Sequence, residues 1–261
     1  MRPVPVLMYH HVNNHKGDMV TVTPETFEMQ MHYLNKAGYK TLNTGELISY
    51  INGTLQLNEK SVMVTFDDGW IDNYIFAYPV MKKYGIKATI FLVTSWIDKA
   101  GNVMRVNDSD IPTHEESSSL LRKNKGQKVV LNWDMIREMK ESGLVEFHSH
   151  TQNHMKCHHL SENDLSDEVH QSKKRIEERL GSDCTCLCWP MGRYNDLAVK
   201  TAEDAGYKAL FTTNYGVVNE NSDPFTIQRI AVKDSNVWFK KSMTIYTNAI
   251  LSGLYLPLRK K

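Results

Sequence analysis

The segment Ser61–Gly69 reads SVMVTFDDG and joins an unbroken apolar run to two carboxylates and a glycine. The run over Ser61–Phe66 is too short for a typical helix, which favours a strand that is buried on both faces, as in a parallel sheet. Asp67 and Asp68 then lie at the carboxyl end of that strand. Adjacent carboxylates repel each other, and a bound cation would relieve the repulsion. The other interpretation is a turn, in which an aspartate caps a helix and Gly69 supplies a positive φ.

On both sides of this segment, short apolar runs alternate with amphipathic stretches, which is typical of βα units and a parallel sheet. The predicted strands are Val4–Tyr9, Tyr39–Leu42, Ser61–Phe66, Ala88–Val93, Val145–Phe147, Cys184–Trp189, Lys208–Thr213 and Phe225–Val232. The predicted helices begin at Thr23 or Pro24 and after Gly69, and also cover Thr44–Asn52, Trp133–Glu141, Ser161–Leu180, Asp196–Ala205 and Trp238–Leu254. This α/β pattern fits a barrel better than an open sheet, although spacing alone leaves both open.

The chain is predicted to form one domain over residues 1–261. Residues from about 100 to 128 are polar and rich in Ser, Asn and Lys, which predicts a surface insertion. Residues from about 238 to 261 are predicted to form a helical tail at the C-terminus.

The composition excludes several classes of protein. The chain is 41% hydrophobic and 23% charged, with a formal net charge of +1. We expect no nucleic-acid partner, because such proteins usually show a basic excess or a basic stripe. No apolar run approaches the roughly 18 residues of a membrane span, so no transmembrane segment is predicted. The N-terminus lacks the apolar core of a secretion signal, so we expect a cytoplasmic protein, or an exported one whose signal has been removed. The oligomeric state is left open.

Three of the four cysteines alternate along the chain, at Cys184, Cys186 and Cys188. On a strand, this spacing puts all three side chains on one face. A soft metal ion is one interpretation, but no second close pair of cysteines completes a tetrahedral site. We therefore expect reduced thiols that are buried on a core strand.

Residues that could carry chemistry directly follow four of the predicted strands. Three groups are polar side chains, namely His10 and His11, Asp67 and Asp68, and His148, His150 and His154. The fourth is the turn Pro190-Met191-Gly192, which could contribute its main chain. In α/β barrels the active site lies at the carboxyl ends of the strands. The sequence therefore predicts an active site built from these side chains.

His150 and His154 have the spacing of two histidines that share one face of a helical turn, which is an arrangement that binds divalent metals. Neutral imidazole suits zinc and other first-row metals. Two histidines and one carboxylate would leave open positions for water and substrate. The other interpretation is a pair of solvent-facing histidines, since the chain contains 11.

Three motifs together carry a family resemblance. Val64–Gly69 reads VTFDDG, His150–His154 reads HTQNH, and Trp189–Gly192 reads WPMG. In this order and strand context they resemble the motifs of the NodB-type polysaccharide deacetylases, carbohydrate esterase family 4. The resemblance spans about Val4–Val232. It implies a deformed (β/α) barrel of about seven strands and a hydrolase that removes N-acetyl groups from an amino-sugar glycan, its carbohydrate substrate.

The resemblance also implies roles for individual residues. The metal ligands would be Asp68, His150 and His154. Asp67 would be the general base, the main-chain N–H of Met191 would lie in the oxyanion hole, and Thr151 would support the site by hydrogen bonding. The cofactor would be one divalent metal ion, with zinc as the default and cobalt, nickel or manganese also compatible with the ligand set.

Two features depart from the family pattern. The arginine that usually opens the third motif is missing from Leu187–Met191, and no histidine follows His170 to provide the usual general acid. Leu7–His10, however, reads LMYH and resembles a segment of the biofilm-type poly-N-acetylglucosamine deacetylases, in which a histidine on the first strand is the acid. His10 is therefore the predicted acid that protonates the leaving amine, with His11 as the second choice. A structural histidine is the alternative.

Substrate contacts are the least specific prediction. Arg229 lies on a late strand and would tune Asp67, bind substrate, or form a plain surface ion pair. Trp70 and Trp189 are candidates for stacking on a sugar ring, as are Tyr74, Trp96 and Trp133, and core packing is the alternative for each. Two other functions stay open: hydrolysis of a small non-glycan amide, and carbohydrate binding by a non-catalytic relative.

Overall fold

The computed structural model describes residues 2–101 and 111–259. Its strands are β1 Val6–Tyr9, β2 His11–Val12, β3 Thr21–Val22, β4 Lys40–Thr41, β5 Ser61–Phe66, β6 Ala88–Leu92, β7 Val145–Ser149, β8 Cys186–Cys188, β9 Ala209–Tyr215 and β10 Ile227–Ala231. Its helices are α1 Pro24–Lys36, α2 Thr44–Ile51, α3 Tyr78–Tyr84, α4 Thr94–Ala100, α5 His114–Arg122, α6 Trp133–Glu141, α7 Glu162–Leu180, α8 Asp196–Asp204, α9 Asn236–Tyr246 and α10 Ala249–Arg259.

Seven parallel strands close into a barrel in the order β1-β10-β9-β8-β7-β6-β5. The ring closes because β1 pairs with β5 from Val6–Met63 to Tyr9–Phe66, and also with β10. The short β4 pairs with the outer side of this ring at β5, and β2 and β3 form a separate parallel pair. The prediction of an α/β fold built as a deformed (β/α) barrel of about seven strands is confirmed.

Two apolar clusters follow from the alternation of side chains along each strand. One cluster lies inside the barrel and includes Val6, Met63, Phe91, Cys186, Cys188, Phe211 and Ile227. Residues of α2 complete this cluster and cover one end of the barrel. The other cluster lies between the strands and the surrounding helices, and Cys184 belongs to it together with Leu187. All four cysteines are buried and free, as expected, but Cys184 does not share the face of Cys186 and Cys188.

The predicted insertion and the predicted C-terminal helix differ in part from the structure. Part of the predicted insertion, residues 102–110, lies outside the described residues. Another part forms α5, which starts with a capping box between Thr113 and Glu116. The predicted helix Trp238–Leu254 is two helices, because Asn248 accepts hydrogen bonds from two main-chain N–H groups and starts a new helix there. The extent of the insertion and tail stays a prediction.

None of the helices in the described part of the chain combines the length and the apolar character that a membrane span requires.

Candidate active site

A cavity of about 530 Å³ opens at the carboxyl ends of the barrel strands. It brings together eight of the residues predicted from the sequence. They are His10, Asp67, Asp68, Trp70, Trp96, His150, His154 and Met191. Helix α5 forms one wall of this cavity with His114, Ser118, Leu121 and Arg122, which share one face of the helix. The strand ends and the α5 wall therefore enclose one site.

The Asp68 carboxylate lies close to two imidazole rings but forms no hydrogen bond with either of them. Its Oδ1 atom lies 3.4 Å from His150 Nε2 and 3.3 Å from His154 Nε2. This oxygen is buried and has no hydrogen-bond partner among the described residues. His150 Nδ1 lies 2.7 Å from the carbonyl oxygen of Cys188, which only accepts, so Nδ1 carries the proton. Nε2 of His150 therefore faces Asp68, and in the neutral ring this atom is the one whose lone pair could bind a metal.

The charges of this group fit a cation. Burial raises the pKa of Asp68, but the nearby imidazoles of His150 and His154 outweigh that effect and hold the pKa well below its ordinary value. Burial lowers the pKa of His150, but Cys188, Asp68 and Asp67 raise it well above its ordinary value. The site therefore attracts positive charge, and one carboxylate with two imidazoles suits a divalent first-row metal. In the described part of the chain, Asp68, His150 and His154 place their ligand atoms within 4.8 Å of one another.

A second group of possible ligands, Asp67, His150 and Cys188, is less suitable. Its atoms also lie within 4.8 Å of one another. However, the Arg229 guanidinium lies 2.7 Å from Asp67 Oδ1 and 3.0 Å from Cys188 Sγ. This fixed positive charge already balances Asp67 and would repel a metal ion there.

Backbone strain is concentrated at the site. Among the described residues, Asp68, Thr151, His154 and Met191 have φ values of 76°, 65°, 60° and 55°. Such left-handed conformations are unfavourable for residues with a Cβ atom, and they persist where the surrounding structure imposes them. The strain indicates that the fold holds these four residues for a purpose other than stability.

The two candidate histidine ligands lie on a loop, so the prediction of a helical turn is wrong for this segment. Thr151 Oγ1 accepts a hydrogen bond from the main-chain N–H of His154, 3.2 Å away. Asn153 donates to the carboxylate of the buried Glu168, from its main-chain N–H at 2.8 Å and from its side chain at 2.6 Å. Glu168 was not predicted as a site residue, although an acidic residue on the apolar face of α7 is a detectable signal.

Asp67 and Arg229 form a buried, two-pronged ion pair. Arg229 Nη1 and Nη2 donate to the two oxygens of Asp67 at 2.7 and 2.8 Å, and Arg229 Nε donates to the carbonyl oxygen of Thr212. Burial raises the pKa of Asp67, but the positive charge of Arg229 outweighs burial and lowers the pKa to about 2. Arg229 is only 1% exposed, so it is neither a surface ion pair nor able to reach a sugar. Of the three predicted roles, only the tuning of Asp67 fits this position.

The predicted histidines that are not metal ligands, His10, His11 and His148, lie in different environments. His10 Nε2 lies 3.8 Å from Asp67 Oδ2 and lines the cavity. Burial lowers the pKa of His10, so its imidazole is neutral near pH 7. His11 instead faces Asp72 at 2.7 Å and does not line the cavity, which leaves it poorly placed as the acid. His148 lies within β7 and contacts Thr44 Oγ1 at 3.1 Å, away from the cavity.

The predicted aromatic contacts are only partly compatible with the structure. Trp70 lines the cavity, but its Nε1 donates to Asp68 Oδ2 at 2.9 Å, so it holds the carboxylate in place. Trp189 is fully buried and stacks on Tyr194, so the prediction that it binds substrate does not fit. Trp189 was a candidate because it lies near a strand end, but its side chain lies in the outer core. Trp96 lines the cavity instead.

The turn after β8 presents Met191 to the cavity with 47% of its surface exposed. The following Gly192 has a φ of 63°, and a Cβ atom there would lie 2.0 Å from Thr213 Oγ1. Only glycine fits this position, so the chain can pass close to β9 and bring the Met191 main chain to the rim of the site.

Comparisons with known proteins point to one family. The family model for polysaccharide deacetylases matches residues 54–210. The chain is 31% identical over 229 residues to the Bacillus subtilis (strain 168) protein YxkH, which is assigned to the polysaccharide deacetylases, and the match covers 88% of this chain and 71% of YxkH. It is 26% identical to the poly-β-1,6-N-acetyl-D-glucosamine N-deacetylase of Staphylococcus aureus (strain MSSA476), over 82% of this chain and 68% of that protein.

A solved structure supports the same relationship. The Streptococcus pyogenes deacetylase PplD, in complex with acetate, is similar with a TM-score of 0.78 and 26% identity, over 94% of this chain and 98% of PplD. The barrel, the motifs and these matches lead to one assignment. The chain belongs to the polysaccharide deacetylase family, the NodB-type enzymes of carbohydrate esterase family 4.

Proposed function

We propose that this protein is a metal-dependent hydrolase that removes N-acetyl groups from an amino-sugar glycan and releases acetate. The observation that carries the proposal is the buried, unpartnered Asp68 Oδ1, which faces the Nε2 atoms of His150 and His154 beside a second carboxylate, Asp67. The name of the Staphylococcus aureus relative supports a polymer of N-acetylglucosamine as the class of substrate.

Asp68, His150 and His154 would hold one divalent ion, with zinc as the default. When bound, such an ion supplies Lewis-acid polarisation of an amide carbonyl and activation of a water molecule. Trp70 would keep Asp68 oriented through its hydrogen bond to Oδ2, and the Cys188 carbonyl would keep His150 in the correct tautomer.

Asp67 would act as the general base and His10 as the general acid. Because Arg229 keeps Asp67 ionised, its carboxylate is ready to accept a proton from the attacking water. A carboxylate with a pKa of about 2 holds that proton only briefly. His10 Nε2 lies 3.8 Å from Asp67 Oδ2, and burial lowers the pKa of this imidazole, which supports a role in which His10 would take up the proton and deliver it to the leaving amine.

The Met191 main-chain N–H would stabilise the oxyanion of the tetrahedral intermediate. The turn at Gly192 holds this part of the chain at the cavity rim. A preorganised donor of this kind typically contributes about 2.7–4 kcal/mol to catalysis.

The substrate class is tested by acetate release from a panel of compounds. We expect release from β-1,4- and β-1,6-linked N-acetylglucosamine oligomers, and much slower release from a simple amide such as acetamide. A His154→Ala variant is the control for contaminating activity. Preference for the simple amide would favour a small-amide hydrolase, and no release from any compound by the metal-loaded protein would favour a non-catalytic carbohydrate-binding relative.

A further inference from the structure

A second polar group, which the proposed reaction does not use, lies behind one wall of the cavity. Asp72 and His11 are each 1% exposed. Asp72 Oδ2 accepts hydrogen bonds from His11 Nδ1 at 2.7 Å and from Asn13 at 3.0 Å, and Asp72 Oδ1 accepts one from Asn73. Burying a charged carboxylate with a histidine is unfavourable unless every contact is made. Here the contacts are made, and the pair is rigidly fixed.

The pair connects to the cavity through His114. His11 Nε2 lies 3.1 Å from His114 Nδ1, across 103 residues of sequence. His114 is the first residue of α5, is half-buried and lines the cavity. The other ring nitrogen of His114, Nε2, has no partner among the described residues. The chain Asp72–His11–His114 therefore ends in a nitrogen that is free to meet a ligand.

The hydrogen-bond pattern determines what this nitrogen offers. A carboxylate only accepts, so His11 Nδ1 carries a proton. Burial lowers the pKa of His11, but the charge of Asp72 and the hydrogen bond to it raise the pKa above its ordinary value. Burial and the nearby His11 lower the pKa of His114. A charged His11 donates from Nε2 to His114 Nδ1, and the neutral His114 then carries its proton on Nε2.

We propose that His114 contacts the substrate and donates a hydrogen bond from Nε2 to an oxygen of the glycan, while His11 and Asp72 act as positioning residues. The inference rests on the proposed function, since it assigns a sugar-recognition role within the same site. The ring of Trp70 links the two parts: it lies edge-on to His114 with centroids 5.9 Å apart, and it donates to Asp68. The Trp70 side chain therefore lies between His114 and the Asp68 carboxylate. At His114, a hydroxyl or ring oxygen of the sugar would be bound.

A comparison of a glycan substrate with a substrate that has no sugar distinguishes a contact between His114 and the glycan from a purely structural role in α5. His114→Ala is expected to lower kcat/KM for an N-acetylglucosamine oligomer by about 5- to 100-fold, mainly through a higher KM, as loss of a hydrogen bond to substrate predicts. Hydrolysis of 4-nitrophenyl acetate, which has no sugar, should change by less than about 2-fold. His114→Gln keeps a donor and should recover part of the loss, and the exposed His170→Ala is the matched control.

The outcomes separate the role of His114 from the proposed function of the whole site. Equal losses of activity on the oligomer and the ester would mean that His114 only supports the fold. No loss on the oligomer would mean that His114 does not contact the substrate. Either result overturns the inference while the proposed function stands. Asp72→Asn keeps an acceptor for His11 but removes its charge, and it should reproduce the selective loss. No acetate release from any glycan by the wild-type protein would defeat the proposed function, and the inference with it.

Discussion

Asp67→Asn is expected to lower kcat for acetate release by about 10²–10⁴-fold, which is the usual contribution of a general base. The amide cannot accept the proton from the attacking water, although it has nearly the same shape as the carboxylate. Bound metal should stay at the wild-type level, because Asp68, His150 and His154 are unchanged. Steady-state kinetics together with elemental analysis of the purified variant measure both effects.

A matched control is available at the surface. Asp134 forms an exposed ion pair with Arg137 on α6 and does not line the cavity. Asp134→Asn should leave both kcat and metal content unchanged. Near-wild-type turnover by Asp67→Asn would contradict the assignment of the base, whereas loss of metal from this variant would mean that Asp67 helps to hold the ion.

Arg229→Met is expected to lower the free energy of unfolding by about 3–5 kcal/mol, because it leaves the Asp67 carboxylate buried without its counter-charge. The side chain of Asp67 is 3% exposed, so water cannot replace the lost contacts. Urea unfolding of the purified variant measures the change. The same substitution should raise the pKa of Asp67 and move the acidic limb of the pH–rate profile to higher pH.

Two further variants separate charge from packing. Arg175 pairs with Asp98 at 2.9 Å but is partly exposed, so Arg175→Met should change stability by no more than about 1 kcal/mol. The double variant Asp67→Asn, Arg229→Met should be more stable than Arg229→Met alone, because both charges are then absent. A loss of less than about 1 kcal/mol in Arg229→Met would show that the buried pair does not stabilise the fold.

The sign of the pH dependence follows from the lowered pKa of Asp67. A carboxylate whose pKa is lower in the folded state stabilises the protein above its unfolded pKa of about 3.9. This contribution is lost as the pH falls towards about 2, where the folded Asp67 takes up a proton. The contribution of the Asp67–Arg229 pair is therefore complete at neutral pH and is lost only in acid.

The sequence predicts best those site residues that directly follow a strand, because the strand pattern alone then places them. Asp67 and Asp68 follow a buried strand directly, and the carboxyl ends of parallel strands meet at one end of a barrel. The positions of His10, His150 and Met191 at that end follow from the same argument. The alternation of elements favours a barrel over an open sheet without deciding between them, and the family resemblance implies the barrel of about seven strands that is observed.

Other features depend on contacts that no local pattern contains. Arg229 pairs with Asp67 across 162 residues of sequence, so its role depends on the pairing of β10 beside β1. Arg229 contacts Cys188, which belongs to the third motif, where the family's usual arginine is missing. A residue of a different strand therefore supplies the positive charge at this point. His114 lies in a polar segment whose composition predicted only a surface insertion. The loop at His150 shares the spacing of a helical turn, but left-handed residues within it break the helix.

The most direct test of the account is acetate release from a β-1,6-linked N-acetylglucosamine oligomer before chelation, after chelation and after zinc or cobalt is added back. We predict about one divalent ion per chain, loss of release when that ion is removed, and recovery when it is returned. Release that persists in protein shown to be free of metal would contradict a metal-dependent reaction at Asp68, His150 and His154. Protein that binds no divalent ion at all would contradict the assignment of those three residues.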